Sequence, residues 1–171
     1  YYDLARRYIE AELLDAPDPL PDEFEHRKWR ILRRIGAVGL LWNRPSDAWL
    51  NIWGLKMPER TRAFEELMAE NKILPVEVEG IRAKLYCRRE DIPLLGEVSQ
   101  GGSYRSRLEF LAPLDCFLWD RRLIRELVGF EYSWEIYTPA VKRKYGFYVL
   151  PVLYGEVFAG RIEAVNETKT H

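Results

Sequence analysis

Basic side chains lie close to aromatic ones in the stretch between residues 110 and 163. Guanidinium and ammonium groups contact the phosphate oxygens of nucleic acids, and aromatic rings stack on bases. Two clusters have this composition, one of Arg121, Arg122 and Arg125 and the other of Lys142, Arg143 and Lys144, which Tyr145 follows directly. They are candidate nucleic-acid contacts. The alternative is that the aromatic side chains are core residues and the charges form an ordinary solvated surface.

Three acidic residues of the same stretch are candidates for catalysis, namely Asp115, Asp120 and Glu135. A carboxylate can position or activate water and can stabilise positive charge in a transition state. Each also has a structural interpretation, because Asp115 suits a turn, Asp120 a helix cap and Glu135 the outward face of a strand. We expect the structural roles and assign no catalytic residue from the sequence.

Metal chemistry has little support in the composition. The two cysteines, Cys87 and Cys116, are far apart and lack a metal-ligand spacing, and the two histidines are His26 and His171. A zinc site needs clustered ligands. We therefore expect no metal and no cofactor, and reduced thiols as in a cytoplasmic protein.

The elements that carry these residues are predicted from periodicity. Asp120 and Gly129 are suited to begin and end a helix over 121–128, which would project its arginines outward. Alternation over 130–137 predicts a strand with one buried face, and the apolar run 145–154 followed by 157–162 predicts a hairpin. Pro151 suggests an edge strand or a bulge, since proline cannot donate to a ladder.

The first half of the chain reads as mainly helical. Helices are predicted over 1–14, 22–38, 46–53 and 58–72, with prolines between 15 and 21 breaking the first. Residues 74–87 alternate around Gly80 and predict a hairpin. The helix over 58–72 has a net charge of −1, so we expect it to be mainly structural. Candidate phosphate contacts are Arg27, Lys28 and Arg30 in the basic part of the second helix, which also contains Arg33 and Arg34, and Arg82 and Lys84 in the hairpin.

Length and composition set outer limits. A chain of 171 residues with 47% hydrophobic residues can form one large domain or two small ones, and we place a boundary within residues 95–105, which contain a predicted loop over 100–103. The net charge of −1 does not by itself indicate a nucleic-acid partner. No apolar run approaches the roughly 20 residues of a membrane span. The absent initiator methionine suggests a fragment.

The sequence resembles the crosslink-repair DNA glycosylases of the YcaQ-like family, which are winged-helix proteins. Tyr2-Asp3-Leu4 and Leu41-Trp42 extend the resemblance to most of the chain. The densest matching pieces are Pro113-x-Asp115, Trp119-Asp120-Arg121, Phe130-x-Tyr132-x-x-Glu135-x-Tyr137-x-Pro139, Lys142-Arg143-x-Tyr145-Gly146-x-Tyr148-Val149-Leu150-Pro151 and Gly160-Arg161.

The resemblance implies an α+β chain: a winged helix-turn-helix domain over 1–98 with a helical lead-in, then a small antiparallel β-rich domain over 99–171, truncated at its end. The hairpin at 74–87 would be the wing. The partner would be double-stranded DNA carrying alkylated or interstrand-crosslinked bases, in the cytoplasm with the nucleoid.

The same resemblance implies a catalytic Gln-x-Gln or Gln-x-Asp motif, which this sequence lacks, since its one glutamine, Gln100, precedes Gly101. We therefore expect the DNA-binding C-terminal portion of such an enzyme, without its excision chemistry. The alternatives are a non-enzymatic winged-helix DNA-binding or regulatory module, and a protein-interaction domain that does not touch DNA. The oligomeric state stays open.

Overall fold

A computed structural model of the chain describes residues 4–101 and 105–165. The described part is α+β, as predicted, with two three-stranded antiparallel sheets of order β1-β3-β2 and β4-β5-β6. The helices are α1 Ala11–Leu14, α2 Glu23–Val38, α3 Met57–Ala69, α4 Ile92–Ser99 and α5 Arg121–Val128. The strands are β1 Leu41–Trp42, β2 Ile73–Val76, β3 Leu85–Arg88, β4 Leu108–Phe110, β5 Val149–Tyr154 and β6 Val157–Glu163.

The predicted first helix is reduced to a 3₁₀ turn at Ala5–Arg7 and the four-residue α1. Neither element contains a buried residue, so no core face holds a longer helix together. Residues 1–3 of that prediction lie outside the described part. In the predicted loop at the domain boundary, Gln100 ends α4 and Gly101 follows it, whereas residues 102–103 are not described. The boundary itself stays a prediction.

α2 begins and ends as its sequence predicts. The Asp22 carboxylate accepts a hydrogen bond from the Glu25 amide at 2.9 Å, and Gly39 follows the last turn with a φ of 91°. Ile31 and Ile35 are fully buried on one face of the helix. They belong to the first core, which also contains side chains of β1, α3, β2 and β3.

The segment between α2 and β3 differs from the prediction in two ways. The helix expected over 46–53 is a 3₁₀ turn, Asp47–Trp49, capped by the Ser46 hydroxyl. The hairpin of β2 and β3 is confirmed, and β1 adds a third strand to it that periodicity could not show. A strand of two residues is too short to produce an alternating pattern.

α5 connects two cores. Asp120 caps it through the Leu123 amide at 2.8 Å, and Gly129 ends it in the left-handed conformation with a φ of 67°, both as predicted. Leu123 packs in the first core. The adjacent Ile124 packs in a second core with Leu118, Phe130 and Tyr132.

The strand predicted over 130–137 is wrong, because this segment has no regular secondary structure. Phe130 and Tyr132 are buried as the alternation implied, but their burial comes from side-chain packing. The Phe130 ring stacks on Phe158 at 4.1 Å, and the Tyr132 hydroxyl donates to the Val149 carbonyl at 2.9 Å. The alternation of apolar and polar residues over 130–137 therefore reflects which side chains are buried, and it does not indicate strand pairing.

The last hairpin is confirmed but shorter at its start. Residues 145–148 precede β5, and the Glu163 carboxylate accepts hydrogen bonds from the amides of Phe147 and Tyr148 at 2.7 and 2.6 Å. Tyr148, which the apolar run predicts to be buried, is 43% exposed. Pro151 lies in the central strand and not at an edge, next to an irregularity in the register at Val152.

Candidate nucleic-acid interface

A basic cleft of about 370 Å³ lies between α5 and two nearby segments, 131–133 and 144–145. Four cationic side chains and one carboxylate line it, so its charge is strongly positive. We call it the basic cleft; its lining residues are Arg121, Arg122, Arg125, Glu131, Tyr132, Ser133, Lys144 and Tyr145.

The cap on α5 sets the positions of the three arginines. Because Leu123 and Ile124 point into the cores, residues 121, 122 and 125 face the cleft. Arg122 is paired with Glu126 at 3.1 Å. Neither Arg121 nor Arg125 has a carboxylate oxygen within ion-pair distance among the described residues. Their charges are therefore available to an anion.

Glu135 holds the opposite wall of the basic cleft. Its buried carboxylate accepts hydrogen bonds from the backbone amides of Tyr145 at 2.8 Å and of Lys144 at 3.0 Å, and a longer one from Gly146 at 3.4 Å. The bonds from Tyr145 and Lys144 hold the pKa of Glu135 below its usual range. Glu135 thus fixes the turn that presents Lys144 and Tyr145 to the cleft.

Tyr145 and Lys144 are tied to neighbouring charges. The Lys144 ammonium is 3.2 Å from Glu131, and this hydrogen bond lowers the pKa of Glu131. The Tyr145 ring lies under two cations, with Lys144 Nζ at 4.9 Å and the Arg161 guanidinium at 4.2 Å from its centre. These contacts make Tyr145 a rigid, positively surrounded part of the wall.

The family to which the chain belongs bears on how the basic cleft is interpreted. The model of a family described as DNA glycosylase AlkZ-like matches residues 1–171. The chain belongs to this family. The resemblance to the YcaQ-like crosslink-repair glycosylases is thereby confirmed, and membership supports a DNA-repair glycosylase kind of function. No solved structure matches the chain.

In this AlkZ-like chain the second predicted basic cluster is divided, because Lys144 and Tyr145 line the basic cleft whereas Lys142 and Arg143 do not. Lys142 is exposed at the end of a 3₁₀ turn, Ala140–Lys142, and does not line the cleft. The Arg143 Nε donates to the Thr138 carbonyl at 2.8 Å, and its guanidinium lies 4.8 Å from the centre of the Phe147 ring. Lys144 and Tyr145 therefore join Arg121 and Arg122 in the basic cleft.

The residues of α2 that were predicted to contact phosphate bind other residues of the AlkZ-like chain. Lys28 is 5% exposed and its ammonium is surrounded by three carboxylates, Glu25 at 2.8 Å, Glu66 at 3.1 Å and Glu70 at 2.6 Å. Burial alone would lower the pKa of Lys28, but the hydrogen bonds to these carboxylates raise it above its usual value. A local sequence pattern could not show this, because Glu66 and Glu70 lie on another helix.

The flanking arginines on α2 have different partners. Arg27 is paired with Glu23 at 2.6 Å and Glu59 at 3.0 Å, and its Nε donates to the Trp53 carbonyl. Arg30 donates to the Asn51 carbonyl at 2.9 Å and has no ion-pair partner among residues 4–101 and 105–165. In the β2–β3 hairpin, Arg82 and Lys84 are exposed beside Glu77 and Glu79.

The three acidic candidates of the AlkZ-like chain make structural hydrogen bonds. Asp115 accepts from the Phe117 amide at 2.9 Å. Asp120 is 2% exposed and accepts both the Leu123 amide and, at 2.7 Å, the Trp42 indole N–H. Glu135 was expected to point outward from a strand, which is wrong, because it is buried beneath the 144–146 turn.

The sequence places Arg125 and Lys144 in its two basic clusters, but it missed Glu131, Tyr132 and Ser133 as lining residues of the basic cleft. Arg125 follows Arg121 by four positions in a predicted helix, so the spacing alone placed both on one face. Lys144 stands beside the predicted Lys142 and Arg143, but the direction of its side chain depends on the Glu135 carboxylate.

In the described part of the chain, no helix is long and apolar enough to cross a membrane, and no group of three acidic, cysteine or histidine side chains could hold a metal.

Glu135→Gln is expected to lower the melting temperature at pH 7, because an amide offers one acceptor oxygen where two carboxylate oxygens now receive backbone N–H groups. The pKa of Glu135 is lowered on folding. Its stabilisation is therefore present above the usual glutamate pKa of about 4.3 and is lost as pH falls through the folded value. The difference between parent and variant should shrink between pH 7 and pH 3.

Circular-dichroism melts at the two pH values would measure this difference. Glu156→Gln is the matched control, since Glu156 is exposed in the turn between β5 and β6. Equal melting temperatures of the parent and Glu135→Gln at pH 7 would contradict the anchoring role of Glu135.

Proposed function

We propose that this chain is the DNA-binding C-terminal portion of a winged-helix DNA glycosylase that repairs alkylated or interstrand-crosslinked bases. The basic cleft carries the proposal. Four cations converge there against one carboxylate, and two of them, Arg121 and Arg125, have no acidic partner in the described part of the chain. Phosphate groups of double-stranded DNA are the anions that such a surface binds in a member of this family.

The winged-helix assignment is supported by element order. α2, a short 3₁₀ turn, α3 and the β2–β3 hairpin follow one another as helix, turn, helix and wing, with β1 completing the small sheet. In this assignment Arg82 and Lys84 of the hairpin contact the DNA backbone.

In the same assignment, α3 is poorly suited to contact base edges and so to recognise a DNA sequence. Lys28 is bound by Glu66 of α3 and by Glu70, which follows its last residue, and the buried Arg60 of α3 donates to the Asn43 side chain at 2.7 Å. We therefore propose that α3 is mainly structural. Affinity would come from backbone phosphates and would be nearly independent of sequence.

Excision is assigned to none of the three acidic candidates. Asp120 and Glu135 are buried and both accept hydrogen bonds, and the half-buried Asp115 accepts the hydrogen bond that caps a 3₁₀ turn. The chain also lacks the glutamine motif that the resemblance implies. Its contribution to repair would be to bind DNA, and its location would be the cytoplasm, in association with the nucleoid.

Arg121→Gln with Arg125→Gln is expected to weaken binding to a fluorescein-labelled duplex and to make it less sensitive to salt. The slope of log K against log salt should fall by about two units, since each lost phosphate contact removes about one. Anisotropy titrations at several salt concentrations would measure it. Arg125 is exposed, and exposed substitutions usually stay within about 0.5 kcal/mol. Arg121 is half-buried with its guanidinium 5.5 Å from the centre of the Tyr132 ring, so melting temperatures of both single variants are measured as well.

Arg107→Gln serves as the matched control, because Arg107 is an exposed arginine already paired with Glu109 at 2.7 Å. It changes the net charge in the same direction, away from the cleft. A parent chain without salt-dependent affinity for the duplex would overturn the proposed function.

A further inference from the structure

A second concavity, of about 240 Å³, lies on the exposed side of α2 near the start of α5. Three arginines and two tryptophans line it, and no acidic side chain does. We call it the tri-arginine pocket; its lining residues are Trp29, Arg30, Arg33, Arg34, Ala37 and Trp119.

The guanidinium groups of the tri-arginine pocket are held in place by neutral partners. Arg30 donates to the Asn51 carbonyl at 2.9 Å, and Arg34 donates to the Leu50 carbonyl at 3.1 Å. The Arg34 guanidinium also lies 4.4 Å from the centre of the Trp119 ring, and that of Arg33 lies 4.9 Å from Trp29. The cations are thus oriented before any ligand arrives, which reduces the entropy lost on binding.

The charge of this pocket is uncompensated. Across residues 4–101 and 105–165, none of its three arginines forms an ion pair, whereas Arg27 and Lys28 on the same helix have two and three carboxylates. Burial lowers the pKa of Arg34, and repulsion by Arg30 and Arg33 lowers it further. Three like charges grouped without a counter-charge are unfavourable unless an anion joins them.

We propose that the tri-arginine pocket binds a phosphate group of a nucleic-acid strand, as a second contact separate from the basic cleft. Arginine offers paired N–H donors that match phosphate oxygens, and all three cations here are arginines and not lysines. The proposal rests on the proposed function for its choice of a polynucleotide as the source of the phosphate. Trp119 of the pocket lies two residues before Arg121 of the cleft, so each site takes a residue from the start of α5.

The test compares the parent with Arg33→Gln and with the double variant Arg33→Gln, Arg34→Gln. Duplex anisotropy should show a salt slope lower by about one unit for the single and about two for the double variant. In a second measurement, tripolyphosphate should raise the melting temperature of the parent more than that of either variant. The exposed Arg33 keeps the test valid if loss of the Arg34–Trp119 stacking destabilises the double variant. Arg107→Gln again controls for net charge.

The outcomes separate this proposal from the proposed function. Unchanged salt slopes in both pocket variants, with a reduced slope in the Arg121 and Arg125 variant, would overturn the pocket and leave the proposed function standing. A parent that does not bind duplex but is stabilised by tripolyphosphate through Arg33 would overturn the proposed function and support a phosphate site. Arg33-dependent binding of polyglutamate in preference to duplex would identify an acidic protein partner and overturn the nucleic-acid ligand.

Discussion

Asp120→Ala is expected to destabilise the chain by about 1.5–5 kcal/mol, because one carboxylate serves two buried donors. Loss of a helix cap costs about 0.5–2 kcal/mol. The Trp42 indole N–H, now 2.7 Å from Asp120, would lose its partner in a fully buried position, and an unsatisfied buried donor costs about 1–3 kcal/mol. Urea denaturation followed by tryptophan fluorescence and circular dichroism would measure the loss.

Asp22→Ala is the matched control for Asp120→Ala. Asp22 caps α2 through the Glu25 amide at 2.9 Å but is exposed and has no second buried donor among the described residues. It should lose only the cap contribution of about 0.5–2 kcal/mol. If the two variants are equally stable, the Trp42–Asp120 hydrogen bond contributes nothing. Trp42→Phe, made in the parent and in Asp120→Ala, would complete a double-mutant cycle that isolates this bond.

Lys28→Met is expected to lower stability substantially while leaving the salt dependence of DNA binding unchanged. Lys28 is buried among three carboxylates, and removing one partner of a buried ion pair costs roughly 3–5 kcal/mol. We expect the lower end of that range, because Glu25, Glu66 and Glu70 remain partly exposed to solvent and can be hydrated. Denaturation curves and duplex titrations on the same protein would measure both quantities.

Lys72→Met is the matched control, since Lys72 pairs with the same Glu70 at 2.7 Å but is half exposed. An exposed pair contributes about 0–1 kcal/mol, so this variant should stay close to the parent. If Lys28→Met keeps its stability but its salt slope falls by about one unit, Lys28 contacts a DNA phosphate and the structural role is wrong.

The elements that the sequence predicts well are those whose determinants are local. The bounds of α2 follow from its helical spacing, and Asp120 and Gly129 predict the start and the end of α5. The two hairpins follow from alternation and from the turns around Gly80 and Gly155. Each of these signals lies within a few residues of the structure that it specifies.

The missed elements depend on partners distant in the chain. β1 and β4 are strands of two and three residues that exist because β3 and β5 pair with them. Residues 130–137 alternate like a strand, yet Glu135 turns inward because the 144–146 backbone supplies its hydrogen bonds. A pattern of burial does not distinguish strand pairing from side-chain packing.

The candidate site divides in the same way. Residue type and chain position are enough to predict Arg121, Arg122 and Tyr145, and all three line the basic cleft. Lys28 resembles its neighbours on α2 in sequence, but it faces Glu66 and Glu70 of α3, and Arg33 and Arg34 line the tri-arginine pocket instead. Tertiary contacts decide which cations are neutralised, and these contacts cannot be predicted from a local run of charges in the sequence.

The division of α5 between two cores has a consequence for synthesis on the ribosome. Leu123 fills the first core together with residues that are made well before it, and the Trp42 indole lacks its acceptor until Asp120 has been made. A nascent chain that has emerged only as far as α4 therefore lacks side chains that its own core requires. Apolar surface stays exposed until α5 has emerged, and exposed apolar surface on an incomplete domain favours aggregation or chaperone binding. The order of translation thus makes α5 the element that closes the first half of the protein.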